Sequence, residues 1–138
     1  MIRNFILIFA FLVPSFTFAQ SVYTQKDKEI CTNILHEANL AKLHNSKINE
    51  IVIWVAKKFI GTDYEASTLD KNIDEHLVIR LTGLDCYTFL ENTLVLSRCI
   101  KENKTSFEDY QKELVNVRYR NGVLTDYTSR LHYFSDWI

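Results

Sequence analysis

The sequence predicts an α+β fold, helix-rich over most of its length, with strand-like segments after the second helix and near the end. Three observations carry that expectation. Only three glycines and one proline occur in 138 residues, and the proline is Pro14, so little interrupts helices over most of the length. Apolar residues recur at helical spacing in several segments. The branched run EHLVIRL (residues 75–81) and the alternating SRLHYF (residues 129–134) read instead as strands.

The first residues stand apart. MIRNFILIFAFLVPSFTFAQ has one positive charge at Arg3, an apolar run from Phe5 to Phe18, and small residues Thr17 and Ala19 before Gln20. This is the pattern of an export signal, covering residues 1–19. An uncleaved anchor is the competing reading, but the apolar run is short for a permanent span. Removing 19 of the 138 residues leaves 119, enough for one domain with a core, residues 20–138. The net charge of −1 becomes −2 on loss of Arg3. No basic patch interleaved with aromatics points to nucleic acid.

Within the domain, Ile30, Ile34, Ala38 and Ala41 mark a first helix over residues 27–43. Ser46 is placed to cap a second, in which Ile48, Ile51, Val52, Val55 and Phe59 form one stripe before Gly61. The polar stretch at residues 62–75 reads as a loop. After the strand and Gly83, Asp85 is a good cap for a third helix, with Cys86 at its first helical position. Cys86, Phe89, Leu90, Thr93, Leu94 and Ser97 share a face of that helix. Thr105 and Glu108 have the spacing of a capping box for a fourth helix, buried through Phe107, Tyr110, Leu114 and Val117. RYRNGVLTDY reads as a strand or turn that breaks at Asn121-Gly122. The ending HYFSDWI is aromatic where chain ends are usually polar. An unpartnered strand is not stable, so a C-terminally incomplete domain, or one completed by a partner, is expected.

Cys31, Cys86 and Cys99 number three, so a disulfide framework would leave at least one thiol free. Thirteen residues at ~1.5 Å rise put Cys86 and Cys99 about 20 Å apart on one helix, too far for a disulfide. No metal or cofactor is expected, since neither Cys-x-x-Cys nor suitably spaced histidines occur. A thiol at a helix start is favoured as thiolate by the unpaired N–H groups and the dipole, and those N–H groups can hold an oxyanion. His132 is the candidate base, on a late strand able to face that helix. Equally, Cys86 falls on an apolar face, as a structural core thiol would. Cys99, at the other helix end, is the poorer nucleophile, and Cys31 reads as core.

FIGTDY, TLD, EHLVIRLTGLDCYTFLE, VRYRNG and YTSRLHYFSDW occur in that order. Together they resemble the N-acetylmuramoyl-L-alanine amidase-like family, which belongs to the NlpC superfamily of papain-like cell-wall hydrolases. The resemblance runs from about Ile48 onward. It implies a papain-like fold, with N-terminal helices packed on an antiparallel sheet, and with Cys86 as nucleophile and His132 as general base. It implies Tyr64 as an aromatic beside the site, Asp85 as a substrate-orienting residue as well as a cap, and Arg130 as a structural or ligand-contacting arginine. The implied substrates are peptidoglycan fragments (muropeptides), cut between the lactyl group of N-acetylmuramic acid and L-alanine, with a preference for 1,6-anhydro fragments. The implied location is the periplasm or cell envelope after export, or the medium. Two departures stand out. Asp63 replaces a frequent proline, and the third polar residue that orients the histidine is expected beyond Ile138, so this stretch alone is expected to be weak or inactive. A cysteine peptidase, a transglutaminase-like acyl transferase and a non-catalytic envelope binding domain are the competing classes.

Overall fold

A computed structural model describes residues 21–71 and 73–137. The export signal expected at residues 1–19 lies outside them. Four helices dominate: α1 (Gln25–Leu40), α2 (Ile48–Lys58), α3 (Cys86–Lys101) and α4 (Phe107–Arg118). Four strands of two residues each accompany them: β1 (Ser21–Val22), β2 (Asp63–Tyr64), β3 (Leu77–Val78) and β4 (Gly83–Leu84). No described helix is long and apolar enough to cross a membrane.

Each helix starts where a side chain can take an orphan N–H. Thr24 caps α1, and Asp27 answers by accepting from Thr24 N at 2.9 Å. The helix therefore begins ahead of Asp27, which is buried in its first turn rather than forming its edge. The face that follows is Cys31, Ile34, Leu35 and Ala38, all buried. Helix α2 starts after Lys47, not Ser46. Glu50 Oε2 accepts from Lys47 N at 3.2 Å, and Ile51, Val55 and Phe59 are buried at four-residue steps. The capping of α4 is one residue later than the spacing of Thr105 and Glu108 suggests: Ser106 Oγ accepts from Asp109 N at 3.0 Å. Its buried face is Phe107, Tyr110, Glu113, Leu114 and Arg118, with Val117 only half-buried.

Helix α3 is the centre, packed against α1, α2 and α4. Its buried side is Thr88, Asn92, Val95, Leu96, Cys99 and Ile100, together with Glu91, Thr93 and Ser97. The face expected to carry Cys86 is only partly inside: Thr93 and Ser97 are buried, whereas Cys86, Phe89 and Leu90 are exposed. The helix closes on Asn103 in the left-handed conformation (φ 56°). Lys104 N donates to Cys99 O at 2.8 Å and Asn103 N to Ile100 O at 3.0 Å, so the last carbonyls are paired.

The antiparallel sheet that the resemblance implies is not formed among the described residues. Both ladders are parallel: Ser21 pairs with Leu77 and Val22 with Val78, Asp63 with Gly83 and Tyr64 with Leu84. The only antiparallel pairing described is an isolated bridge between Tyr119 and Arg130. SRLHYF is not a strand. Asp126 Oδ1 accepts from Thr128 N at 2.8 Å and Ser129 N at 3.2 Å, and these local bonds curl Tyr127–Ser129 into a 3-10 turn. A second such turn covers Phe134–Trp137. Asn121-Gly122 forms a turn, with both residues at positive φ and Gly122 N donating to Tyr119 O at 2.9 Å.

Three buried charges, Arg118, Glu91 and Asp27, hold this arrangement. Arg118 makes a two-pronged contact with Glu91, Nε to Oε1 at 2.9 Å and NH2 to Oε2 at 2.5 Å, and its NH1 donates to the Val78 carbonyl at 2.5 Å. Both side chains are within 1% of full burial. Asp27 Oδ1 accepts from Leu81 N at 2.8 Å and from Thr82 N at 3.2 Å, tying the start of α1 to the chain just ahead of β4.

Removing one partner of a buried pair strands the other charge. Arg118→Met is therefore expected to destabilise the fold by about 3–5 kcal/mol, and Arg118→Met with Glu91→Leu to recover most of that loss, as read by urea unfolding. Burial pushes the Asp27 carboxyl up, but hydrogen bonds from Leu81, Thr24 and Thr82 outweigh it and hold it below the usual 3.8. A group lowered on folding contributes stability above its unfolded pKa, and the contribution is lost as pH falls through the folded value. Asp27→Asn should thus lower the melting temperature at pH 7, and the gap to the parent should narrow below about pH 4.

Candidate active site

Three separate stretches of chain meet where α3 begins. The first is the loop and 3-10 turn at Ser67–Asp70, the second is the first turn of α3, and the third is residues 127–132. Between them lies a cleft of about 240 Å³ lined by Thr68, Asp70, Asp85, Tyr87, Arg130 and His132, among others.

The start of α3 is set by Asp85. Its Oδ1 accepts from Thr88 N and from Thr88 Oγ1, both at 2.8 Å, and Thr88 Oγ1 in turn accepts from Asp85 N at 3.0 Å. With Thr88 N bound to Asp85 Oδ1 and Phe89 N bound to Asp85 O at 2.9 Å, the first-turn donors left over are those of Cys86 and Tyr87. Cys86 itself is exposed. Its neighbours Asp85, Tyr87 and Thr88 form part of the cleft wall, whereas the thiol does not.

The chain reaches this position through β2 and β4. The register Tyr64–Leu84 sets Tyr64 opposite the residue two before Cys86, and Glu65 N donates to Leu84 O at 3.1 Å. The approach is close enough that a Cβ at Gly83 would lie 2.8 Å from Glu65 Cβ, which explains the glycine there. Tyr64 is 76% exposed and lies outside the cleft wall.

The third stretch is tied to the first turn of α3 by Tyr87. Its hydroxyl donates to Leu131 O at 2.7 Å. Burial, reinforced by the nearby Glu91 charge, pushes this phenol up to about 12, so it keeps its proton. The Tyr87 ring stacks on Phe134 (5.2 Å between centroids) and meets Trp137 at 5.3 Å. Leu131 N donates to Arg118 O at 2.8 Å. His132 is thus hung between α3 and the end of α4. Its Nε2 lies 3.1 Å from Tyr127 O, and its ring packs on the Tyr127 ring at 4.5 Å. A carbonyl oxygen can only accept, so in this contact Nε2 carries the hydrogen, and in the neutral ring the lone pair is on Nδ1. No hydrogen bond joins Cys86 to His132 among the described residues.

Arg130 is 5% exposed. It donates to Asp70 Oδ1 at 2.5 Å and to Leu69 O at 3.3 Å, and its Nε is 3.7 Å from Glu75 Oε1, within ion-pair range but not hydrogen-bonded. Tyr119 anchors Glu75 by donating to Oε1 at 2.8 Å. Arg130 therefore clamps the Ser67–Asp70 stretch onto the His132 stretch while also lining the cleft. Among the described residues no group of three or more His, Cys, Asp or Glu is placed to hold a metal ion.

Sequence reasoning singled out Cys86, Asp85, His132 and Arg130; of these Asp85, His132 and Arg130 line one cleft, and Cys86 does not. Tyr64 comes only as near as the strand pairing to Leu84. Tyr87, Tyr127 and Thr68 were not singled out. All three stood inside the motif blocks, and a tyrosine beside Cys86 or five residues before His132 was the available signal.

An exposed thiol at the start of a central helix, with an imidazole in the wall of an adjoining cleft, describes a candidate hydrolytic site on an α+β domain. The chain belongs to the N-acetylmuramoyl-L-alanine amidase-like (AmiA-like) family, whose pattern matches residues 54–138. It is similar to a solved N-acetylmuramoyl-L-alanine amidase from Bacteroides uniformis, with 34% identity and a TM-score of 0.61 over 66% of this chain and 37% of that one. It is also similar to a solved candidate xylanase from Bacteroides fragilis, with 39% identity and a TM-score of 0.52 over 57% of this chain and 35% of that one. The chain therefore spans little more than a third of the length of either structure. No curated protein is a significant sequence match.

The three thiols should differ sharply in reactivity. Cys31 and Cys99 are fully buried, and burial pushes the Cys99 thiol up to about 12 and Cys31 higher still. Titration of the native protein with a thiol-reactive dye is expected to show one fast-reacting group, lost in Cys86→Ala, and all three in guanidinium.

Proposed function

We propose that this chain carries the nucleophile and base of a cysteine amidase, of the papain-like NlpC type, that hydrolyses the N-acetylmuramoyl-L-alanine bond of peptidoglycan fragments. The observation that carries the reading is an exposed Cys86 at the first position of α3 whose chain neighbours Asp85 and Tyr87 share a cleft wall with His132, in a chain of this family. Residues 20–138 are the N-terminal portion of the domain, behind an export signal at residues 1–19. The work site is the periplasm or cell envelope, where the substrate of such a family is found.

The steps follow from the residues. Cys86 passes its proton to Nδ1 of His132 and attacks the lactyl carbonyl. The N–H groups of Cys86 and Tyr87, the donors left unused by the Asp85 cap, stabilise the oxyanion. The imidazolium returns the proton to the departing L-alanine nitrogen, and the C–N bond breaks. Water, deprotonated by His132, then hydrolyses the thioester. Orientation of the imidazole comes from the Tyr127 carbonyl on Nε2, a role that a side chain takes in many Cys–His sites. Asp85 keeps the helix start in place and borders the substrate. Arg130 holds the cleft walls together, and Tyr64 flanks the approach to Cys86.

The cleft favours acyl chemistry over glycoside cleavage. A glycosidase needs two carboxylates free to act on either side of a bond. The two in this cleft wall are Asp70, ion-paired with Arg130, and Asp85, engaged in the helix cap.

The test is mass spectrometry of muropeptides incubated with the protein produced from its whole reading frame. Release of an intact peptide beginning with L-alanine is the expected result. Cys86→Ala should abolish release, and His132→Ala should lower kcat/KM by about 10³-fold or more. Cuts only between amino acids would make the protein a peptidase, and binding without any cleavage would leave an envelope binding domain.

A further inference from the structure

His132 is exposed, and among the described residues one hydrogen bond holds its ring, Nε2 to the Tyr127 carbonyl at 3.1 Å. The torsion that turns a histidine ring has broad minima. A single bond at one nitrogen leaves the imidazole able to swing about that bond, so it does not by itself fix where Nδ1 points. A second contact supplies the missing constraint. The Tyr127 ring packs on the imidazole with centroids 4.5 Å apart and planes inclined at 40°. That ring is itself backed: the Arg130 guanidinium carbon lies 5.0 Å from its centroid, within cation–π range. Arg130 is buried and fixed by Asp70 Oδ1 and the Leu69 carbonyl. The Tyr127 hydroxyl makes no hydrogen bond among the described residues. The side chain is 60% exposed, so its burial adds little to the stability of the fold.

We propose that Tyr127 is a positioning residue for His132 that acts through its ring: packed on the imidazole and backed by Arg130, the ring fixes the direction of Nδ1. The inference rests on the reading of His132 as the base. The Tyr127 carbonyl determines which nitrogen carries the hydrogen, and the side chain of the same residue sets the angle of the other nitrogen. The clamp of Arg130 on Asp70 and Leu69 thereby reaches the base through one aromatic ring. A phenyl ring serves as well as a phenol, because the hydroxyl is unbonded. An aliphatic side chain does not, because it offers no flat face to the imidazole and no π-system to the guanidinium. Every residue at position 127 keeps the carbonyl, so substitution there removes the ring contact and leaves the Nε2 bond in place.

The test compares Tyr127→Phe and Tyr127→Leu in the protein produced from its whole reading frame. Nitrogen-15 relaxation of the His132 imidazole should show the same order in the parent and in Tyr127→Phe, and wider motion in Tyr127→Leu. On muropeptides, Tyr127→Leu should lower kcat by about tenfold or more with KM within about threefold, since a misdirected base costs rate and not binding. Tyr127→Phe should keep kcat within about threefold of the parent. In a His132→Ala background, Tyr127→Leu should change the residual rate by less than about twofold, which separates action through His132 from a general loss of structure. An imidazole equally ordered in Tyr127→Leu, a kcat that is kept, a loss confined to KM, or the same loss in the His132→Ala background overturns the proposal and leaves the amidase reading standing. A parent protein that cleaves no muropeptide overturns the amidase reading, and the relaxation measurement alone then decides whether the Tyr127 ring holds His132.

Discussion

Arg118 reaches into the interior from the last turn of α4 and divides its donors between Glu91 on α3 and the Val78 carbonyl on β3. Two charges are thereby removed from water, which is favourable only because both prongs of the guanidinium meet both carboxylate oxygens. The consequence is register. Helices α3 and α4 cannot slide along each other without breaking a geometry that has no substitute inside the protein. The backbone of the same residue then takes Leu131 N onto its carbonyl. One residue thus fixes the interhelical packing, a strand of the β1–β3 pair and the stretch that ends in His132.

A second constraint acts at the other end of the cleft. Asp27 joins the N-terminal turn of α1 to the backbone at Leu81 and Thr82, immediately before the β4 residues that lead into Asp85 and Cys86. Between these two anchors, α3 can present its first turn outward and keep its middle and end inside. The same helix therefore carries two thiols of opposite character. Cys99 is enclosed, next to Glu113 and among apolar side chains, with its proton held to about 12. Cys86 is exposed beside unused backbone donors. Environment, not residue type, separates them.

How far the sequence could be read depended on whether the deciding force was local. The four helices were legible because apolar spacing and capping residues act within a few positions. Their starts moved by one or two residues where a neighbouring side chain capped better, as with Thr24 and Ser106. The turn at Asn121-Gly122 was equally local. The strands were not legible in their true form. EHLVIRL and SRLHYF have strand-like composition, but composition does not name a partner. Leu77 and Val78 pair with Ser21 and Val22 in a parallel ladder across more than fifty residues, and Asp126 folds the later segment into a turn. The reading of Cys86 as a core thiol followed from a shared face with Phe89 and Leu90. The start of that face is exposed, because Glu91 points inward to meet Arg118.

The sequence by itself determined the helices, the Asp85 cap, the position of Cys86 at a helix start and the motif blocks that mark the family. These depend on residues a few places apart, whose interactions survive in any tertiary setting. Tertiary structure alone decided which face of α3 is buried, which ring nitrogen of His132 is left with its lone pair, and that Arg130 clamps Asp70. Those outcomes join residues up to sixty positions apart, and such pairings are chosen by the packing of the whole chain against the entropy of closing its loops.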